Sequence, residues 1–283
     1  MRVFLTGSTS YLGLKFIELY GADFEICGVA RSDPRNKADL SDFAAVRQIY
    51  RDFRPDIVIH AAADLGCAAA PERAAETNPE ITSNLVELAQ STGSPFILTS
   101  TEAVYGGRET MGQYVETDPY QPRSSYGLSK VRSEQIVIDS GLPYLITRGH
   151  RYVGVNGAYH RPKRFPDTLS SILQGRDVNL DSRKLFTPTL IDNVCSVIVH
   201  YLHCEMDRKL VINVGADRPV TYFDFIVDVA RTLGIGVEHI KPDGVESEWP
   251  ANSSLSVGKL ADLGYPGITY DRLLETITSD LHG

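Results

Sequence analysis

The chain has 283 residues, 42% of them hydrophobic and 23% charged, so it carries ample apolar material for a core and is neither a disordered tail nor a collagen-like or disulfide-built scaffold. Lys and Arg number 28 against 36 Asp and Glu, a formal net charge of −8, which supplies no overall basic field to draw the protein onto nucleic acid or anionic lipid. The length allows one large domain or two small ones.

Met1-Arg-Val-Phe-Leu-Thr-Gly7 runs straight into a strand-like segment, without the charged start, apolar middle and small-residue cleavage site of a signal peptide. A cytoplasmic location is expected. Short apolar, β-rich runs at Val3–Thr6, Glu25–Ala30, Ile57–Ala61, Phe96–Ser100 and Tyr144–Thr147 read as strands. Between them, Leu12–Tyr20, Phe43–Phe53, Glu72–Ser91 and Ser124–Ser140 repeat apolar residues at three- and four-residue steps, which predicts helices with one face for a sheet. Asp56-Ile-Val-Ile-His-Ala-Ala-Ala63 is nearly continuously apolar, as a strand covered on both faces must be. The alternation predicts an α/β fold with a doubly wound parallel sheet.

Past residue 150 the regularity fades. A loop with His160-Arg-Pro-Lys-Arg164 precedes predicted helices at Phe165–Gln174 and after Asp192, a strand near Leu210–Val214, and helices near Phe223–Leu233 and Arg272–Ser279. With no linker or internal repeat, the C-terminal part reads as a small α/β lobe beside the sheet's carboxyl edge, the default place for a ligand. The apolar stretch near Val194–Cys204 is about half of the ~20 residues a membrane span needs, so no membrane partner is expected. Cys27, Cys67, Cys195 and Cys204 lack metal-ligand spacing and read as reduced, mostly buried thiols; no metal site is expected.

Thr6-Gly-Ser-Thr-Ser-Tyr-Leu-Gly13 joins the first strand to the first helix, where open N–H groups and the helix dipole favour a pyrophosphate. Gly7 allows the tight turn and Gly13 the close approach of helix to strand, while Ser10 replaces the middle glycine of Gly-x-x-Gly-x-x-Gly. A glycine turn of purely structural use has the same look. The second strand ends in Gly28-Val-Ala-Arg-Ser32, with Arg31 where an NAD site places an acid, so NADPH is the expected cofactor and NADH the alternative. A solvated surface arginine is the plain reading of Arg31.

Tyr126-Gly-Leu-Ser-Lys130 puts a phenol and an ammonium one turn apart on a helix face, and the cation is expected to lower the phenol toward the range of a general acid. Thr101 lies at the carboxyl end of the fourth strand, where its hydroxyl can meet a carbonyl, and Glu102 beside it either relays a proton or solvates the rim.

A glycine-rich first turn, a Ser/Thr strand end and Tyr-x-x-x-Lys, in this order, resemble the extended short-chain dehydrogenase/reductase superfamily. Asp56–Ala63, Ser100-Thr-Glu102, Tyr126–Lys130, Gly141–Arg148, Thr187-Pro-Thr189 and Pro250-Ala-Asn-Ser-Ser-Leu255 resemble the dTDP-4-dehydrorhamnose reductases over nearly the whole chain. The resemblance implies a Rossmann dinucleotide-binding domain over 1–150, and over 151–283 mainly a substrate-binding lobe with some segments returning to the core. It implies reduction of a nucleotide-linked 4-keto-6-deoxysugar with NAD(P)H, a nucleotide-diphosphate sugar as partner, and catalysis by Thr101, Tyr126 and Lys130. Gly7, Ser10, Tyr11, Leu12 and Gly13 then hold the pyrophosphate, Arg31 the adenosine side, Asp39 and Leu40 the adenine, and Ala61, Ala62 and Ala63 pass beneath the cofactor. Glu102, Arg151 and Asn252 are the implied substrate contacts.

Beside Ser10 in place of glycine, two further departures stand out. Arg151 replaces a pocket tryptophan, so the sugar differs or the arginine grips a diphosphate, and Ala103 replaces the glutamate of related dehydratases, which favours plain reduction. An epimerase with retained NAD uses the same trio. A non-catalytic subunit is the third reading, since the regulatory β subunit of methionine adenosyltransferase resembles this chain around Arg31–Ala63. A homodimer is the assembly such sheets commonly give. The 160–164 run reads either as a solvated loop or as a lid, and His150, His200 and His203 read as core or surface histidines.

Overall fold

The structure, a computed structural model, describes residues 1–64, 71–109, 112–154, 164–243 and 251–282. Cys67, the 160–163 part of the basic run and Pro250 lie outside the described residues, and of Arg164 only the backbone is described. The chain divides into two compact units: 1–106, 119–148 and 195–212 form the first, and 107–118, 149–194 and 213–283 the second.

In the first unit β1 (Arg2–Thr6), α1 (Tyr11–Tyr20), β2 (Glu25–Val29), α2 (Phe43–Phe53), β3 (Ile57–His60), α3 (Pro71–Thr92), β4 (Phe96–Thr101), a 3-10 turn (Glu102–Val104), α4 (Ser125–Asp139) and β5 (Tyr144–Gly149) follow one another. The sheet has six strands in the order β10 (Lys209–Asn213), β5, β4, β3, β1, β2, with β1 parallel to β2 and β3, and β3 parallel to β4. This is a Rossmann-like α/β fold with a parallel central sheet. The apolar runs explain it: Val3, Phe4, Ile57, Val58, Phe96 and Leu98 are fully buried, and residues of α2, α3 and α4 pack in one core with Phe4, Val58, Phe96 and Leu98. Ser10, Asp42 and Ser124 cap α1, α2 and α4 by accepting from the amides of Gly13, Ala45 and Gly127. The last strand of the sheet, β10 (Lys209–Asn213), comes after α6 (Ile191–Cys204), so the chain returns to the sheet after leaving it.

The second unit holds β6 (Tyr152–Val153), α5 (Arg164–Leu173), β7 (Val178–Asp181), β8 (Leu185–Phe186), β9 (Thr189–Leu190), β11 (Val220–Thr221), α7 (Tyr222–Thr232), β12 (Ile240–Asp243), α8 (Gly258–Asp262) and α9 (Tyr270–His282). Its small sheets pair β12 with β7 in parallel, β11 with β8 antiparallel and β6 with β9 in parallel. Phe165, Leu169, Phe186, Phe225, Tyr270 and Leu273 belong to its core.

Among the described residues Cys27 and Cys195 are buried and Cys204 is exposed, none of the three in a disulfide, no group of His, Cys, Asp and Glu is placed to hold a metal, and no helix is long and apolar enough to cross a membrane.

Candidate active site

The first turn is packed without spare room. A Cβ on Gly13 would lie 2.2 Å from the Gly7 carbonyl oxygen, and one on Gly7, whose φ is +72°, would lie 2.8 Å from the Ala62 amide nitrogen. Only glycine fits either position. Ser10 takes the place of the missing glycine by serving as the N-cap, its hydroxyl accepting from the Gly13 amide at 3.1 Å. Tyr11 and Leu12 begin the helix and are buried, and Ala61 and Ala62 are half-buried where β3 ends.

The end of β2 carries a carboxylate that sequence reasoning missed. Asp33 is buried and turned inward, accepting from the Ser8 hydroxyl at 2.6 Å and from the amides of Arg35 and Asn36 at 2.9 and 3.1 Å. Burial opposes its ionisation, but these hydrogen bonds outweigh burial and hold the carboxyl below its usual range. Gly28 is needed there, because a Cβ would lie 2.8 Å from Asp33 Oδ2. Arg31 and Asp39 are exposed; hydrogen bonds from Ser41 and then the charge of Arg31 keep the Asp39 carboxyl low. Leu40 packs half-buried on the core of this unit, and the hydroxyls of Thr9 and Ser32 meet at 2.7 Å beside Arg31 in sequence.

At the carboxyl ends of β3 and β4, Lys130 is 2% exposed and donates to the Thr99 carbonyl at 2.8 Å. Its two other N–H donors have no partner among the described residues. Burial lowers its pKa to about 8 against the supporting charge of Glu134. Its charge adds to burial in pressing the His60 imidazole down to about 3, so that ring is neutral, 2.7 Å from the Thr6 hydroxyl. Tyr126 is half-buried and its phenol has no hydrogen-bond partner among the described residues. Burial, and then the charge of Glu102, push the phenol above its ordinary value. The expected lowering by Lys130 is therefore not found: the ammonium is turned to Thr99, and desolvation of the phenolate wins. Thr101 donates to Glu102 Oε2 at 2.6 Å and accepts from the Ala103 amide at 3.2 Å.

Arg151 and Asn252 lie in the second unit. Arg151 has a left-handed backbone, φ +48°, rare for a residue with a side chain, and its guanidinium stands 5.4 and 5.3 Å from the Phe186 and Tyr222 ring centroids. Asn252 is 3% exposed with its amide already used: Nδ2 donates to the Gly112 carbonyl at 2.7 Å and Oδ1 accepts from Ser254 N and Oγ at 2.9 and 2.7 Å. His150 is buried, and burial and then the charge of Arg151 hold it neutral.

The donor set at the sheet's edge suits a dinucleotide: a buried ammonium with donors to spare, an unpartnered phenol, and a glycine turn opening a helix whose first N–H groups lack partners within the helix. Comparison with known proteins agrees on the fold. The chain is 23% identical to methionine adenosyltransferase 2 subunit beta of Rattus norvegicus over 93% of this chain and 82% of that protein. It is 26% identical to dTDP-4-dehydrorhamnose reductase of Burkholderia thailandensis over 74% and 68%. The solved dTDP-4-dehydrorhamnose reductase of Bacillus anthracis, in complex with NADP, superposes with a TM-score of 0.86 at 21% identity, covering 99% of each chain. The sequence model of the RmlD substrate binding domain matches residues 1–281, and the chain belongs to that family.

Proposed function

We propose that this protein is an NAD(P)H-dependent reductase of a nucleotide-linked 4-keto-6-deoxysugar. The observation that carries the reading is the Tyr126 phenol, unpartnered among the described residues, on the same helix as a buried Lys130 ammonium that uses one of its three donors among them. A nicotinamide cofactor, when bound, would supply the hydride for the keto carbon. Tyr126, whose proton is held firmly at neutral pH, gives it to the oxygen that becomes a hydroxyl. Lys130 uses its spare donors on the ribose hydroxyls, and its charge steadies the phenolate left behind. Thr101 orients the carbonyl after exchanging its bond to Glu102 for one to the substrate.

Gly7, Ser10, Tyr11, Leu12 and Gly13 are assigned to the pyrophosphate, Asp39 and Leu40 to the adenine, and Ala61, Ala62 and Ala63 to the path beneath the cofactor. Arg31, exposed just past β2 where Asp33 is already engaged by Ser8, Arg35 and Asn36, is assigned to a 2′-phosphate, which favours NADPH. Arg151, stiffened by two rings, is assigned to the substrate's diphosphate, and Asn252 acts by tying its loop to Gly112 with its side-chain amide rather than by offering that amide to the substrate.

The test is NADPH oxidation by the full chain with dTDP-, GDP-, CDP- and UDP-linked 4-keto sugars, with Tyr126→Phe as control. Turnover that survives in Tyr126→Phe removes the mechanism. The likeness to methionine adenosyltransferase 2 subunit beta favours one rival, a non-catalytic binding subunit. Stable co-purification with a methionine adenosyltransferase, together with no turnover of any keto sugar, selects that rival.

A further inference from the structure

Behind Lys130 lies a buried polar assembly that the proposed reaction does not use. Glu134, one turn further along α4, is fully buried, and Arg148 on β5 is 2% exposed. Glu134 Oε1 accepts from the Ser100 hydroxyl at 2.5 Å and from Arg148 Nε at 3.0 Å; Oε2 accepts from Arg148 Nη2 at 2.6 Å and from the Tyr120 hydroxyl at 2.8 Å. Arg148 Nη1 donates to the Tyr105 hydroxyl and Nη2 to that of Tyr120 at 2.9 Å.

The connections have a pattern. Ser100 immediately precedes Thr101, and Tyr105 immediately follows the 3-10 turn that Thr101 caps, so the pair grips both ends of the Thr101–Val104 segment. Its acid sits on the helix that also carries Tyr126 and Lys130. Burying two charges costs solvation that their attraction often only offsets, and apolar residues of like size frequently hold a fold as well. Stability is thus a poor reason for the pair. A directional network with nearly every donor and acceptor matched does give one relative placement of strand end and helix.

We propose that Glu134 and Arg148 are positioning residues that lock the Thr101 segment against α4, so that hydroxyl, phenol and ammonium meet a single carbonyl and ribose. This rests on the reductase reading. The pair also acts on Lys130 through its charge. Among the described residues, the groups that act on Lys130 are neutral His60 on β3, the Thr99 carbonyl on β4 and Glu134 on α4, with Arg148 on β5 bonded to Glu134. From α3, Asn78 and Thr82 bond to Ser129 and Ser133 of α4 as neutral side chains.

The experiment uses the full chain as wild type, Glu134→Gln, Arg148→Lys and the apolar double variant Glu134→Leu/Arg148→Met. Thermal midpoint, NADPH affinity by nicotinamide fluorescence across pH, kcat and KM are measured. The double variant is expected to melt within about 5 °C of wild type, to bind NADPH and sugar nucleotide within about threefold, and to lose about a hundredfold in kcat, as misplaced groups do. Glu134→Gln leaves the Arg148 cation uncompensated, so the alkaline fall in kcat and in NADPH affinity moves to lower pH than in the double variant. Arg148→Lys keeps a cation and is expected to retain more kcat than the double variant.

A folded double variant with wild-type kcat overturns the proposal. Should the double variant not fold, Glu134→Gln with unchanged kcat and an unmoved alkaline fall overturns it instead. Absence of turnover in the wild-type chain counts against the reductase reading alone, and the pH dependence of NADPH affinity in Glu134→Gln then decides whether the pair governs Lys130.

Discussion

Lys130 Nζ lies 2.8 Å from the carbonyl oxygen of Thr99, so the ammonium is moored to β4 by one donor while the other two meet no partner among the described residues. A buried cation with a single neutral partner is poorly compensated, and its pKa falls to about 8 as a result.

On the proposed reductase reading, activity is expected to depend on a proton that leaves in a mildly alkaline solution. Below about 8 the ammonium is present, and as pH rises through that value it is lost, so NADPH affinity and kcat/KM are expected to fall together on the alkaline side. Lys130→Arg places there a group that keeps its charge beyond pH ~12. Whatever activity this variant retains should show no alkaline fall up to pH ~10, and a fall still near 8 would mean that another group titrates.

Glu102 presses on Tyr126 by charge alone. Removing that charge in Glu102→Gln, with the Thr101 contact kept by the amide oxygen, is expected to bring the phenol down from its raised value. Tyrosinate absorbance titrations of this variant, taken as differences from Tyr126→Phe, should place the Tyr126 transition at lower pH than in the wild type. An unchanged transition would leave burial as the whole cause.

Acid should weaken the fold through histidines rather than carboxylates first. His60 is neutral when folded, with its pKa near 3, and His150 is held well below 6.5 as well. An unfolded chain takes up those protons below about 6.5, whereas the folded chain does not, so stability declines as pH falls from there toward the folded values. Each histidine contributes about 1.4 kcal/mol per pH unit within that window. Urea unfolding at pH 7.5 and 5.5 should show the loss, and His60→Asn should remove roughly half of it.

The sequence makes the first unit legible and the second much less so. Ile57–Ile59 and Phe96–Leu98 announce buried parallel strands because a strand covered on both faces has no reason to alternate. By contrast β6, β8, β9 and β11 are two residues each, too short for any period to register, and they exist only because distant segments meet them. The placement of β10 beside β5 is likewise a long-range event. At the site, the Tyr126 and Lys130 spacing is readable along a helix, but the direction of the phenol's shift is not, since it depends on where the ammonium turns. Asp33 was passed over because its partners, Ser8 and the amides after it, become visible only when the first turn folds over β2. Glu134 did leave a signal: it stands four residues beyond Lys130, on the same face of α4.

Cofactor choice turns on the end of β2. Asp33, the acid that follows β2, spends its oxygens on Ser8, Arg35 and Asn36 and so is not offered to a ribose. Arg31 is exposed there, next to the paired hydroxyls of Thr9 and Ser32. A charge-assisted bond of this kind is worth about 1.5–3 kcal/mol, roughly ten- to a hundredfold in affinity. Arg31→Ala is thus expected to weaken NADPH by that factor while leaving NADH nearly unchanged, as nicotinamide fluorescence titrations of both cofactors would record. Equal losses for the two would mean that Arg31 touches something common to both, and the preference would have to arise elsewhere in the turn.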